Sequence, residues 1–158
     1  MLTLRSSLVL LACSFIAGQS SGQPQEARQL VEQGLKLLRA EDYDNATKSY
    51  DEAIRLDPDN AYAYYGRGYA RSHKSGFDKA MKDLHKAISI DPNYAPAISA
   101  RGSVFLKSGK FYDAIISFNS AIRLNPNDAA AYNGGGCAWL QLGDCDKAIA
   151  ECTIAIKT

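Results

Sequence analysis

A period of 34 residues governs this sequence from residue 27 onward and limits the folds open to it. Four copies align without a gap, at 27–60, 61–94, 95–128 and, incomplete, 129–158. Small residues recur at three positions of the repeat, numbered here from one to 34. They are Gly34, Gly68, Gly102 and Gly136 at position eight, Ala46, Ala80, Ala114 and Ala148 at position twenty, and Ala53, Ala87, Ala121 and Ala155 at position twenty-seven. Such a period is typical of a stacked array of identical units.

Each copy predicts two helices that are joined by a short turn. In the first copy, Ala46, Tyr50 and Ala53 follow one another at intervals of three and four residues, which places them on one face of a helix. A proline then ends the second helix in three copies, because its ring excludes the helical conformation for the preceding residue. These prolines are Pro58, Pro92 and Pro126. Glycines are expected in the turn between the two helices at Gly76, Gly109 and Gly143.

Large apolar side chains are expected to fill the space around the small ones. They stand at position four (Leu30, Tyr64, Ile98, Tyr132), position seventeen (Tyr43, Phe77, Phe111, Cys145) and position twenty-four (Tyr50, Leu84, Phe118, Cys152). Cys145 and Cys152 are therefore interpreted as core residues. A disulfide between them is disfavoured, because seven residues along one helix rise about 10 Å, which is more than the bond can span.

The first 22 residues predict a signal peptide that directs export to the periplasm or out of the cell. They contain one cation, no acid and a short apolar run. Residues 23–26 are expected to form a short linker before the repeats. Cys13 offers an alternative, because Leu10 to Cys13 resembles a bacterial lipidation motif and would anchor the protein in the cell envelope.

The composition favours a binding protein over an enzyme. Eighteen lysines and arginines against 17 acidic residues give no reason to expect nucleic acid as a partner. His73 and His85 have no clustered thiol or carboxylate, so neither a metal site nor a catalytic base is expected. The triplet at residues 134–136 lacks the lysine of a phosphate loop and is interpreted as softening its helix. We therefore expect no cofactor and no catalysis.

The repeat positions are similar to those of the tetratricopeptide repeat family, over residues 27–158. The resemblance implies an all-α, right-handed superhelical solenoid that acts as a protein-protein interaction scaffold. In the family the first helices line a concave groove that holds a peptide or protein segment. Some members clamp a C-terminal carboxylate with lysine and asparagine at positions five and nine. Val31 and Leu35 stand there in the first copy, and Tyr65 and Tyr69 in the second, so the resemblance does not extend to that clamp.

The residues at the groove positions of the repeat are those that we expect to bind a partner. They are Arg28, Arg39, Tyr62, Tyr65, Tyr69, His73, Ser99, Lys107 and Asn133. Tyr62, Tyr65 and Tyr69 share one stripe of a helix, and tyrosine combines a large contact area with a hydroxyl group. Packing of these rings against neighbouring helices is the alternative interpretation.

Two further hypotheses concern assembly. The incomplete fourth copy leaves an apolar helix face that a second copy of the chain is expected to cover. Sedimentation as a monomer at high micromolar concentration would argue against this. A structural or self-assembling spacer without a groove ligand is the alternative to the interaction scaffold.

Overall fold

The computed structural model describes residues 23–74 and 76–157, which form eight α-helices. The predicted signal peptide and Cys13 lie outside these residues. The helices are α1 (Gln23–Arg39), α2 (Tyr43–Leu56), α3 (Ala61–His73), α4 (Phe77–Ile90), α5 (Ala95–Lys107), α6 (Phe111–Leu124), α7 (Ala129–Gln141) and α8 (Cys145–Lys157). Helix α1 begins at Gln23, so residues 23–26, which were expected to be a linker, form its first turn.

The helices stack as an all-α repeat solenoid with two layers. The first helix of each repeat packs against the second, and the second packs against the first helix of the following repeat. Successive first helices also contact one another, whereas within the described residues successive second helices do not. The helices α1, α3, α5 and α7 therefore form the inner, concave layer, and α2, α4, α6 and α8 form the outer layer.

The turns between helices are fixed by a few local interactions. Asp42, Asn60 and Asp128 each cap the following helix with a side-chain oxygen that accepts a backbone N–H three residues later. Gly109 and Gly143 have φ of 76° and 81°, the left-handed conformation that glycine favours. Gly76 also lies in the turn between two helices, as expected, but it stands directly before α4 with φ −84° and not in the left-handed conformation.

At position twenty-four, a buried aromatic ring or leucine of the outer layer packs against the inner helices of two successive repeats. The end of the Tyr50 ring lies between the backbones of Gly34 and Gly66, where an added Cβ atom would come within 2.7 Å and 2.3 Å of Tyr50 Cζ. Phe118 lies in the same way between Gly102 and Gly134. Each inner helix thus leaves room for a side chain from the outer layer.

This packing corrects the interpretation of the glycine triplet in α7. A Cβ atom at Gly134 would lie 2.4 Å from Phe118, one at Gly135 would lie 2.0 Å from a carboxylate oxygen of Glu151, and one at Gly136 would lie 2.7 Å from the Cys152 sulfur. All three glycines therefore make room for a neighbouring side chain.

A buried ion-pair network joins the second repeat to the first. Asp83, which is 4% exposed, accepts hydrogen bonds from Nε and Nη2 of Arg67 at 3.1 and 2.6 Å and from Nη1 of Arg71 at 2.6 Å. The same Arg67 also donates to the more exposed Asp51 of α2 at 2.7 Å. Three helices are thereby connected through two carboxylates and the arginines between them.

The last helix departs from the expected core. Cys145 is exposed and Cys152 is half-buried, so the interpretation of Cys145 as a core residue is wrong. Ile149 is 66% and Ile156 is 87% exposed, whereas the equivalent of Ile149 in α6, Ile115, is buried against its neighbours. No described helix packs on that face of α8, which explains the exposure. Self-association through this face stays a prediction.

Candidate functional site

An aromatic stripe lies along the inner helix α3 and includes one ring from each of two neighbouring segments. Its members are Tyr62, Tyr65, Tyr69 and His73 of α3, Tyr43 at the start of α2, and Tyr94 immediately before α5. Along α3, the ring centroids of Tyr62 and Tyr65 are 5.9 Å apart, those of Tyr65 and Tyr69 are 6.3 Å apart, and those of Tyr69 and His73 are 4.7 Å apart. Tyr43 stacks on His73 at 4.6 Å, and Tyr94 lies 5.4 Å from Tyr65. Six rings are thus in continuous contact across the second repeat.

The structure shows packing of two of the tyrosines, whereas partner binding by these rings stays a prediction. Tyr62 packs against the core of the first repeat, and Tyr65 packs against the core of the second. Tyr69 is 37% exposed, and His73 is also exposed. The stripe is therefore anchored in the core while it keeps ring surface open to the groove.

The stripe borders a cleft of about 480 Å³ in the concave surface, which we call the tyrosine cleft. Its lining comes from α3, from α5, and from the junction of α6 and α7. The lining residues are Tyr65, Tyr69, Pro96, Ser99, Ala100, Ser103, Asn125, Asp128 and Ala130. Aromatic rings on one side therefore face hydroxyl, amide and carboxylate oxygens on the other.

Burial sets the protonation of the stripe. Burial, reinforced by the neighbouring tyrosines, raises the pKa of Tyr65 to about 12, so its hydroxyl is neutral and able to donate a hydrogen bond at physiological pH. Burial also lowers the pKa of His73, and the positive charge of Lys107 lowers it further. The imidazole is therefore mainly neutral at pH 7, and the stripe as a whole carries little charge.

Three sequence profiles match the chain. One is described as TPR repeat and covers residues 34–73, and two are described as tetratricopeptide repeat and cover residues 61–94 and 99–157. The chain belongs to the tetratricopeptide repeat family. No curated protein sequence matches it.

Solved structures of other tetratricopeptide repeat proteins share the architecture. The chain is similar to the crystal structure of MamA, with 26% identity, a TM-score of 0.73, and coverage of 85% of this chain and 78% of that one. It is also similar to the first TPR domain of Spaghetti (RPAP3) bound to the HSP90 peptide SRMEEVD, with 27% identity, a TM-score of 0.71, and coverage of 75% and 94%. PilF of Pseudomonas aeruginosa, at 17% identity, a TM-score of 0.79 and coverage of 86% and 62%, shares the fold.

The tetratricopeptide groove brings some of the predicted binding residues together and leaves others apart. Tyr65, Tyr69 and Ser99 line the tyrosine cleft, and Tyr62 and His73 continue the stripe on either side. The others are exposed and lie outside the lining of the cleft. They are Arg28, Arg39, Lys107 and Asn133.

Three functional candidates were missed in the sequence. Tyr94 and Asp128 stand at position 34 of their repeats, immediately before a first helix, and Asn125 stands three residues before Asp128. Their closeness to the groove follows from the cap at the start of each first helix. Tyr50 is a core residue, and its buried hydroxyl has no hydrogen-bond partner among the described residues. Its equivalent in the third repeat, Phe118, has no hydroxyl at all.

Other chemistry is not evident in the tetratricopeptide array. Among residues 23–74 and 76–157, no group of three histidine, cysteine or acidic residues could hold a metal ion. None of the helices in the same ranges combines the length and apolar character needed to cross a bilayer. Cys137, Cys145 and Cys152 are free thiols.

The carboxylate of Glu151 in the last repeat is partly buried, and only one of its two oxygens has a hydrogen-bond partner within the described part of the chain. Glu151 accepts a hydrogen bond from the indole Nε1 of Trp139 at 3.1 Å, while its other carboxylate oxygen is buried over Gly135 without a partner among the described residues. Burial raises the pKa of Glu151, and the indole hydrogen bond opposes this. The ionised form is therefore disfavoured in the folded state.

Replacing Glu151 by glutamine should stabilise the protein at pH 7. A raised folded-state pKa means that the folded protein loses stability as the pH rises through that pKa, so the advantage of Glu151→Gln should shrink as the pH falls toward the ordinary glutamate value of 4.5. Urea unfolding at pH 7 and pH 4.5 measures the difference. The control is Glu32→Gln, because Glu32 is exposed and forms no ion pair with another described residue, and it should gain nothing. A Glu151→Gln variant that is less stable than the parent at pH 7 would contradict the assignment.

Proposed function

We propose that this chain is an exported adaptor that holds an extended segment of a partner protein in its concave groove. The chain is a member of an interaction-repeat family, and the similar RPAP3 domain was solved with a bound peptide. The single observation that carries the proposal for this chain is the aromatic stripe, which keeps ring surface open beside a 480 Å³ cleft.

The mode of binding is expected to differ from that of a carboxylate clamp. Val31, Leu35, Tyr65 and Tyr69 stand where the clamp would need lysine and asparagine. Tyrosine rings instead supply apolar contact area at a small cost in side-chain entropy, and their hydroxyls serve the backbone of a peptide. An internal segment of a partner fits this chemistry better than a free C-terminus.

Export is a separate part of the proposal. It is supported by the layout of residues 1–22, with one cation followed by a short apolar run. Periplasmic or secreted location follows if this segment is cleaved, and attachment to the envelope follows if Cys13 is lipidated. Mass spectrometry of the chain recovered after expression in a bacterial host separates these two, because lipidation makes Cys13 the first residue.

Replacing Tyr69 by alanine should weaken binding of a groove peptide about tenfold or more, because exposed aromatic anchors carry much of the energy of an interface. Peptides are first selected on the full chain from a random phage-displayed library. Their affinities for the parent and for Tyr69→Ala are then measured by calorimetry. The partly exposed Tyr69 contributes little to the core, so the variant should stay folded.

The matched control is Tyr112→Ala. Tyr112 is 67% exposed on the outer helix α6, so its replacement should leave the affinity for the peptide unchanged. Equal losses in both variants, or none in either, would mean that peptides do not bind in the groove.

A further inference from the structure

The tyrosine cleft contains one ionisable acid and no basic residue. Asp128 caps α7, where one of its oxygens, Oδ1, accepts the N–H of Ala131 at 3.0 Å. In the part of the chain that the structure describes, Asp128 forms no ion pair with a lysine, arginine or histidine. Its negative charge is therefore opposed by no cationic side chain among those described, only by the N-terminus of α7 that it caps, and favours a cation in the cleft.

The two rings of the cleft suit a cation as well. Tyr65 and Tyr69 are tilted by 51° with their centroids 6.3 Å apart, so they form two walls of a corner. Cations are attracted to the faces of such rings. The chain already uses this interaction elsewhere, with the Arg67 guanidinium 5.4 Å from the ring centroid of Tyr64 and the Lys147 ammonium 4.1 Å from that of Trp139.

The remaining polar groups of the cleft add hydrogen-bond acceptors. The hydroxyl of Ser103 donates to the backbone oxygen of Ser99 at 3.3 Å, which leaves the lone pairs of the hydroxyl oxygen available. Asn125 also lines the cleft, and its Oδ1 accepts the N–H of Asn127 at 3.3 Å, which leaves a second lone pair on that oxygen. Several N–H donors on one side chain would satisfy these oxygens together.

We propose that the tyrosine cleft binds an arginine side chain of the segment held in the groove. The guanidinium group is planar, stacks on aromatic rings and forks its donors toward a carboxylate, which a lysine does not do. Lys107 lies near His73 beyond Tyr69, and its charge disfavours a second cation at that end of the stripe. The arginine is therefore directed to the Asp128 end. This inference rests on the proposed peptide-binding function and names the residue that the peptide must contain.

The chain itself supplies the variant that isolates the charge. Asn60 occupies the position of Asp128 two repeats earlier and caps α3 with the same geometry, its Oδ1 accepting the N–H of Ala63 at 3.0 Å. Asp128→Asn should therefore keep the cap of α7 and remove only the negative charge. Tyr69→Phe keeps the ring of the corner, whereas Tyr69→Leu removes it.

The test is an NMR titration of the isotope-labelled full chain with the tripeptide Ac-Gly-Arg-Gly-NH2. The control is the same peptide with citrulline, which has the shape of arginine but no charge. We expect the arginine peptide to shift the amides of Tyr65, Tyr69, Ser103 and Asp128 and to bind about fivefold or more tightly than the citrulline peptide. Asp128→Asn and Tyr69→Leu should each remove this preference, while Tyr69→Phe should keep it.

Three results would overturn the inference: equal affinity for the two peptides, shifts that map outside the cleft, or an arginine preference that survives in Asp128→Asn. The phage-selected peptides keep this failure distinct from failure of the proposed function. If the selected peptides contain no arginine, bind Asp128→Asn as tightly as the parent and bind Tyr69→Ala more weakly, that result would overturn the arginine inference and support peptide binding in the groove. Peptides insensitive to Tyr69→Ala would overturn both.

Discussion

Replacing Asp83 by alanine should lower the free energy of unfolding by about 3–5 kcal/mol, because it leaves two half-buried guanidinium groups without their shared carboxylate. The side chain of Asp83 is 5% exposed and accepts three hydrogen bonds from Arg67 and Arg71, which hold α3 against α4. Removing one partner of a buried pair exposes the full cost of burying the other. Urea unfolding of the parent and variant measures the loss.

Asp51→Ala is the matched control for this prediction. Asp51 pairs with the same two arginines, but its side chain is 47% exposed. Water therefore screens the pair, and its removal should cost no more than about 1 kcal/mol. Similar losses in the two variants would show that burial does not determine the strength of the network.

The ion-pair network of Asp83 is not repeated at the equivalent position of the third repeat. Arg101 stands where Arg67 stands, but its Nε donates only to the Ser117 hydroxyl, at 3.2 Å, and burial lowers the pKa of Arg101. The repeat pattern places an arginine in both copies and does not dictate its partner. The stability that each arginine contributes therefore depends on a residue sixteen positions later, which the periodic positions alone do not reveal.

The sequence predicts the architecture well because the repeat encodes it several times over. The second helices begin at Tyr43, Phe77, Phe111 and Cys145, 34 residues apart, as the period requires. The small residues at positions eight, twenty and twenty-seven indicate helix contacts without any knowledge of distant pairs. Cys145 was misplaced because position seventeen is only partly buried even at Tyr43, Phe77 and Phe111, and because no described helix follows the last one to cover it.

The candidate site was only partly predictable from the sequence. The spacing of Tyr62, Tyr65 and Tyr69 places them on one stripe of α3 by helix geometry alone. Asp128 and Tyr94 reach the same surface from the residue that precedes a first helix, and their side-chain directions depend on cap geometry. The packing of Tyr62 and Tyr65 against the core was also beyond the sequence, because helix spacing alone does not show which rings the neighbouring helices cover.

The close packing of the Tyr50 ring on Gly66 predicts that a substitution at one of these residues is compensated by a substitution at the other. Gly66→Ala should raise helix propensity by about 1 kcal/mol in isolation. In the folded chain the new Cβ atom would lie 2.3 Å from Tyr50 Cζ, so we expect a net loss of roughly 1–3 kcal/mol from overpacking. The second and third repeats show the natural solution, since Leu84 belongs there to a core cluster against which Ala100, at the position of Gly66, packs.

The double variant Tyr50→Leu with Gly66→Ala reproduces that native pair and should recover much of the stability that Gly66→Ala loses. Its measured free energy of unfolding should exceed the value expected from adding the two single losses by about 1–3 kcal/mol, the usual range for residues in direct contact. Phe118→Leu with Gly134→Ala repeats the test in the third and fourth repeats. Simple additivity in both pairs would mean that the rings move aside freely, and that glycine at these positions is not required by the rings of the outer layer.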